Sequence, residues 1–395
     1  MKVSAKFSAM EASSVRKLSS HADEAKRQGK KVYHLNIGQP DIATPEEYFD
    51  RIRSFNAATT EYMPSLGIPE LIGRIQAYYN SLEIHFDKDE IAVTCGGTEA
   101  LLFAFLAIID DGDEIVVPEP YYSNYNTFFT VSGANCVPVT TFAENGFHFT
   151  REDLAAKVSD RTRAILISNP GNPTGMVLTK DETEMIADLA REKDLFIISD
   201  EVYREFVFDG RPVSSFCHVE GIEDRLIVID SVSKRYNACG ARIGTLLTKN
   251  RDVFGIITKL CQGRLSCSTI EQYGAIGLYK SGAGYIENAR ASYERRRDIV
   301  YDILSGIDGV VCRKPEGAFY MIAKLPVADA TDFLIWMLEK FDVDGETVMA
   351  APADGFYRTI GTGRDEIRIA YVLAEAELAK ALNILKEGLE AYLSR

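Results

Sequence analysis

The sequence has little of what marks a metal, membrane or nucleic-acid protein. Histidine is scarce, five in 395 residues, and no two fall at a metal-ligand spacing, which argues against a histidine-built metal centre. The seven cysteines (95, 136, 217, 239, 261, 267 and 312) include no Cys-x-x-Cys pair. They read as free thiols in a reducing compartment, not as a disulfide or zinc framework. No apolar run approaches the roughly 20 residues that cross a bilayer. The opening Met1-Lys2-Val3-Ser4-Ala5-Lys6 leads into polar, helix-prone sequence without the apolar core of a secretion signal. Positive charge is in deficit: 44 Lys and Arg stand against 58 Asp and Glu, a net charge of −14. That balance disfavours nucleic acid and anionic membranes as partners, and any site for anions must be locally basic. There is no internal repeat or low-complexity tract. The expectation is a soluble cytoplasmic protein.

What the chain does contain is a regular alternation. Short apolar, β-branched runs recur at 91–94, 115–117, 136–139, 164–168, 195–199, 226–230 and 243–247, with helical patterns between several of them, as at 98–109 and 180–192. Continuous apolar strands alternating with helices predict a mainly parallel sheet covered on both faces. The expected fold class is α/β, with a large domain over about 48–282 built on those seven strands. Beyond 283 the pattern changes to a long charged helix (286–303), short strands (319–323 and 367–371) and a terminal helix from Glu375. This predicts a smaller α+β domain over 283–395. The first 47 residues carry an amphipathic helix (13–28) and the run 32–37, and are expected to pack on the small domain. A chain of this length can bury two cores.

In open sheets of this kind ligands bind beyond the carboxyl ends of the strands, and the polar motifs fall there. Gly96-Gly97-Thr98-Glu99-Ala100 closes one run and opens a helix, an arrangement that offers backbone N–H groups to an anion. Asn169-Pro170-Gly171-Asn172-Pro173-Thr174-Gly175 follows another run, and Asp200, in Ser199-Asp200-Glu201-Val202-Tyr203, ends a third, 28 residues after Asn172. Ser231-Val232-Ser233-Lys234 follows a fourth, with Arg242 eight residues beyond Lys234. Each has a plain reading by itself: an N-cap, a tight turn, a strand-end carboxylate, a solvated lysine. Their joint order and spacing are what carry information.

Together they resemble the class I/II aminotransferases, the fold-type I pyridoxal-phosphate enzymes, in their aspartate-aminotransferase-like branch. The resemblance runs from Gly38 to Arg368 and implies a role for each motif. Lys234 is the Schiff-base lysine and the catalytic residue. Gly97, Thr98, Ser231 and Arg242 hold the cofactor phosphate, and Ser233 also binds the cofactor. Tyr122, in Pro120-Tyr121-Tyr122-Ser123-Asn124-Tyr125, stacks on the cofactor ring, with Tyr121 and Tyr125 as neighbouring alternatives. Asp200 keeps the pyridine nitrogen protonated, because a carboxylate beside it favours the charged form. Asn172 and Tyr203 share the phenolic oxygen, and Asn172 also borders the substrate. Arg368 clamps the substrate α-carboxylate with its planar fork, and the Gly38 backbone lies over the substrate. Tyr62, in Glu61-Tyr62-Met63-Pro64-Ser65, reaches the phosphate of a neighbouring subunit, which implies a homodimer with shared active sites. Cys239 and Ala241 depart from the family pattern beside Arg242 and imply a different pocket wall.

The resemblance sets the substrate less firmly than the chemistry. Thr98 stands where one aspartate-aminotransferase subgroup has a lysine for the distal carboxylate. Another subgroup takes an arginine from the partner subunit near a place that Gln262 occupies here, with Arg264 two residues on. Arg264 is therefore a candidate for the distal carboxylate, and an interface ion pair is its alternative. The expected activity is amino transfer between an L-amino acid and a 2-oxo acid by a ping-pong route, with aspartate and 2-oxoglutarate as the first choice. Neutral or aromatic amino acids, or carbon–sulfur lyase chemistry on the same fold, are the alternatives. A non-catalytic regulatory protein fits poorly, since the whole residue set is present.

Overall fold

The computed structural model describes every residue except Ala9, Glu11 and Ala12. The chain enters through a 3₁₀ turn (Ser14–Arg16) and a helix (Ser19–Arg27), then strand β1 (Lys31–His34). Seven strands then build one sheet: β2 (Ile91–Thr94), β3 (Glu114–Glu119), β4 (Asn135–Thr140), β5 (Thr162–Ser168), β6 (Phe196–Asp200), β7 (Leu226–Ser231) and β8 (Gly244–Leu247). Their order across the sheet is β2-β8-β7-β6-β5-β3-β4. Only β8 runs against its neighbours, β7 and β2; the other pairings are parallel. The mainly parallel seven-stranded α/β sheet read from the sequence is thus the one that forms. Because β8 is reversed, its amino end lies on the same edge as the carboxyl ends of the other six. That edge carries the site.

The strands are continuous apolar runs because both faces are covered. Along β5, Ile165 and Ile167 join one buried cluster while Ala164 and Leu166 join another, and Ile197/Ile198 and Val228/Ile229 divide the same way. This is the two-residue period of a strand between two helical layers. The helix Lys180–Lys193 covers one face; a capping box between Thr179 and Glu182 starts it and Asp194 in the left-handed region ends it. The helix Gly97–Ile108 covers the other.

Later in the chain lie β9 (Val311–Cys312), β10 (Tyr320–Lys324), β11 (Glu346–Met349), β12 (Ala351–Pro352) and β13 (Glu366–Ala370). Four of them form an antiparallel sheet of order β12-β13-β10-β9. β11 pairs in parallel with β1 instead, from Lys31 opposite Glu346 to His34 opposite Met349. Leu18, Ala22, Tyr33 and Leu35 share a buried cluster with Phe333 and Leu382, so the N-terminal residues are held by this later part of the chain. No helix among the described residues is long and apolar enough to cross a membrane.

One expected element differs. The helix predicted over 13–28 is broken at Leu18, which leaves Ser14–Arg16 as a separate turn. Tertiary anchors override the helical period there. Ser14 is packed so tightly on Gly355 that a Cβ at that glycine would fall 2.3 Å from the serine Cβ. Lys17 pairs with Asp354 at 2.8 Å, and the Val15 carbonyl accepts from Asn36 Nδ2 at 2.8 Å. The break redirects Arg16 towards the sheet edge.

Candidate active site

A cleft of about 460 Å³ opens at that edge. Its lining includes Gly38, Gly97, Thr98, Tyr122, Asn172, Asp200, Tyr203, Ser231, Ser233, Lys234, Arg242 and Arg368. Residues more than 300 positions apart in the chain thus converge on one space.

At one end the geometry suits an anion. The amides of Glu99 and Ala100 bond the Gly96 carbonyl, leaving those of Gly97 and Thr98 for another acceptor at the helix N-terminus. Gly96 adopts φ +79°, and a Cβ there would fall 2.3 Å from Arg242 Nη2. The glycine therefore lets the guanidinium lie against the turn. Arg242 donates to the Cys239 carbonyl at 3.0 Å and stays exposed towards the cleft. Ser231 Oγ lies 2.8 Å from Ser233 Oγ and caps the one-turn helix Val232–Arg235.

That turn delivers Lys234. Its neighbour Arg235 is anchored away from the cleft: the guanidinium is buried against Asp230 and lies 3.8 Å from the Tyr78 ring centre. Lys234 is left half-buried in the cleft, where Nζ donates to the Gly38 carbonyl at 2.9 Å. Gly38 has no room for a side chain, since a Cβ would fall 1.8 Å from the Tyr320 hydroxyl.

Deeper in, Asp200 is buried, and no cation of the described residues bonds it. Its Oδ2 accepts from Tyr125 at 2.7 Å and its Oδ1 from the Val202 amide at 3.4 Å. Burial pushes its carboxyl up to about 6, against the pull of the Tyr125 hydrogen bond. A carboxylate held this way favours any cationic group placed beside it. Arg368 is the converse case. Its buried guanidinium meets only neutral oxygens: Nη1 donates to Asn172 Oδ1 at 3.2 Å and Nη2 donates to the Asn36 carbonyl. Its Nε has no partner, and burial alone lowers its proton affinity. The rings of Tyr320 and Phe356 flank it at 4.6 and 4.8 Å. A carboxylate would supply the missing counter-charge. Tyr203 and Tyr320 meet hydroxyl to hydroxyl at 2.9 Å between these two ends. Tyr122 borders the cleft, whereas Tyr121 and Tyr125 turn into the core.

Three residues singled out in the sequence lie elsewhere. Tyr62 is 80% exposed and does not line its own chain's cleft. Gln262 is exposed on the helix Arg251–Arg264. Arg264 is engaged internally, pairing with Glu99 at 2.8 Å and donating to the Ser65 carbonyl at 2.8 Å. Conversely, the cleft contains residues that the sequence did not single out. Tyr320 was hidden in a short apolar strand, and Arg16 in what reads as a solvated helix face. Arg16 lines the cleft mouth and pairs with no carboxylate of the described residues, unlike adjacent Lys17.

This cleft, on this sheet, defines a class. Residues 30–385 match the model of aminotransferase class I and II, and the chain belongs to that family: it is an aminotransferase. It is similar to an aspartate aminotransferase of Bacillus subtilis, 31% identical over 99% of this chain and 100% of the other. An aromatic-amino-acid aminotransferase of Thermococcus litoralis is 30% identical over 91% of this chain and 92% of the other. The aspartate aminotransferase of Thermus thermophilus solved with maleate superposes with a TM-score of 0.89 at 28% identity, covering 98% and 100% of the two chains.

Proposed function

We propose that the chain is a pyridoxal-phosphate-dependent aminotransferase whose preferred pair is aspartate and 2-oxoglutarate. One observation carries the reading. Among the described residues, four cationic side chains, Lys234, Arg242, Arg368 and Arg16, border the cleft, against a single carboxylate, Asp200. In a protein of net charge −14 that local excess needs anionic ligands.

Pyridoxal phosphate fits the donor set part by part. Its phosphate suits the Gly97 and Thr98 amides with Ser231, Ser233 and Arg242. Its pyridine nitrogen suits Asp200, its ring Tyr122, and its phenolic oxygen Asn172 and Tyr203. When bound, the cofactor supplies a carbonyl that takes up the amino group and a ring that draws electrons from the α-carbon. The rest is done by the chain. Arg368 fixes the α-carboxylate with its fork and so orients the α-hydrogen. The Lys234 ε-amine, whose Nζ is held at the Gly38 carbonyl, would take the α-proton and hold it within the cleft for its return. The buried walls around Asp200 and Arg368 keep water from competing. A second 2-oxo acid would be gripped by the same Arg368 and served by the same Lys234, so the kinetics would be ping-pong.

With Arg242 on the phosphate and Arg368 on the α-carboxylate, Arg16 is the cation left over. A second substrate carboxylate matches it. The Val15 carbonyl is tied to Asn36, and the Asn36 carbonyl to Arg368, so the two arginines are held in one frame. That the Thermus relative was solved with maleate, a dicarboxylate, supports the same reading. Arg16→Gln is expected to raise KM for aspartate and 2-oxoglutarate by roughly tenfold or more, the worth of one charge-assisted contact, while leaving alanine kinetics nearly unchanged. Steady-state kinetics with the three substrates checks this. An equal loss with alanine would remove Arg16 from distal recognition.

The same reading makes the enzyme a homodimer with shared sites. The exposed Tyr62 is then the residue offered to the partner's phosphate.

A further inference from the structure

Cys95 follows β2, immediately before the Gly96–Thr98 turn, and Cys267 follows the helix Arg251–Arg264. Their sulfurs lie 3.6 Å apart, although 172 residues separate them in the chain. Arg264 sits over both: Nη1 is 2.6 Å from Cys267 Sγ and 3.5 Å from Cys95 Sγ. The same nitrogen is 2.8 Å from Glu99, the third group of the cluster. Two thiols and a carboxylate within 4.8 Å could in principle hold a metal ion. A guanidinium already occupies the space a cation would take, so the cluster is not a metal site. It is a thiol pair with a fixed positive charge.

That charge changes the sulfur chemistry. The hydrogen bond with Cys267 and the Arg264 guanidinium draw the Cys95 thiol down to about 6, against burial and the opposing Glu99 carboxylate. Cys267 moves up, because the second proton must leave beside a thiolate. Cys95 is half-buried and Cys267 fully buried. A half-buried thiol drawn towards its thiolate, beside a fully buried second thiol, is the arrangement of an attacking and a resolving cysteine.

We propose that Cys95 and Cys267 form an oxidisable dithiol site for hydroperoxides, and that its disulfide loosens the adjacent anion-binding turn. Cys95 sulfur attacks the outer peroxide oxygen; the O–O bond breaks, and the alcohol (water, for hydrogen peroxide) leaves with a proton from solvent. Cys267 sulfur then attacks the Cys95 sulfenic acid; the S–O bond breaks, and hydroxide leaves as water with the Cys267 proton. The sum is two thiols and one hydroperoxide giving a disulfide, an alcohol and water. A disulfide needs its sulfurs about 2.05 Å apart, so one or both must move by more than 1 Å in total. The Cys95 amide donates to Glu99 at 2.8 Å, and the Cys95 carbonyl lies 3.5 Å from Arg242 Nη2. Moving Cys95 therefore disturbs the turn and Arg242 together.

The cross-link does not depend on the cofactor proposed above; its effect on cofactor affinity rests on that reading. The test treats the purified holoenzyme with stoichiometric hydrogen peroxide and maps peptides by mass without reduction. The expected product is a Cys95–Cys267 linked peptide, two hydrogens lighter than the separate pair and restored by dithiothreitol. It should be absent in both Cys95→Ser and Cys267→Ser, and present in Cys312→Ser. Oxidation of Cys95 to sulfinic acid without the link, or earlier reaction at another cysteine, would overturn the site. Equilibrium dialysis should show pyridoxal phosphate held about tenfold more weakly after cross-linking, the cost of one charge-assisted contact. A linked protein with unchanged affinity would overturn the coupling and leave the cofactor reading intact. A reduced protein that binds no pyridoxal phosphate would sink that reading instead.

Discussion

Lys234→Ala is expected to retain pyridoxal phosphate by its phosphate and ring contacts and yet to fail at turnover. The lysine is the one amine that the fold aims into the cleft, because Arg235, next in sequence, is buried on the far side against Asp230. Its Nζ lies 2.9 Å from the Gly38 carbonyl, and Gly38 is pinned against Tyr320, so the amine is positioned before any substrate arrives. Proton transfer by such a group contributes roughly 10²–10⁴ in rate, and kcat should fall by at least that factor. The protein should also lose the covalent cofactor mass that borohydride reduction traps in the parent. Multiple turnovers at the parent rate would remove Lys234 from the chemistry. Trapping at another lysine would move the site.

Asp200→Asn carries the second large effect, and it acts in two directions. The carboxyl titrates at about 6 in the folded chain, against an ordinary 3.8. Between these values the folded chain holds a proton that the unfolded chain has lost, so stability falls as pH rises through the window. A shift of that size costs about 3 kcal/mol once the group is ionised. Asparagine preserves the shape and can still accept the Tyr125 hydroxyl, without the charge. Stripped of cofactor, Asp200→Asn should melt several degrees above the parent at pH 8, and the two should converge near pH 4. Activity should fall in the opposite sense, roughly 10²–10³-fold, as when one preorganised electrostatic contact is lost. Thermal melts at the two pH values and steady-state rates measure both arms. A less stable variant at pH 8 would mean that the carboxylate has a stabilising partner in the folded chain.

Much of this was legible in the sequence, for identifiable reasons. The seven strands of the large sheet are continuous apolar runs, and burial on both faces is what makes them so. The two-residue strands β9 and β12 are too short to show a period, and β11 pairs with β1 across more than 300 residues. Site residues on strand ends could be placed at one edge from the strand pattern, because a parallel sheet brings successive carboxyl ends together, while their roles came from the family resemblance. The surroundings of Arg16 and Arg264 were not legible, for a shared reason. Each owes its place to partners far away in sequence: Arg16 ends a turn pinned at Gly355, and Arg264 pairs with Glu99, 165 residues away. Local pattern cannot carry such information. It also missed the Cys95–Cys267 contact, since neither cysteine has a cysteine at ligand spacing.

The measurement closest to the central claim is a half-reaction. The yellow holoenzyme is mixed rapidly, in single portions, with L-aspartate, L-glutamate, L-alanine and L-phenylalanine, and the cofactor absorbance is followed. The account predicts fast loss of the yellow band with aspartate and glutamate, its return on adding 2-oxoglutarate, and slower conversion by alanine and phenylalanine. Faster conversion by the neutral or aromatic amino acids would contradict the dicarboxylate reading. Ammonia and pyruvate released with the yellow band intact would contradict amino transfer itself.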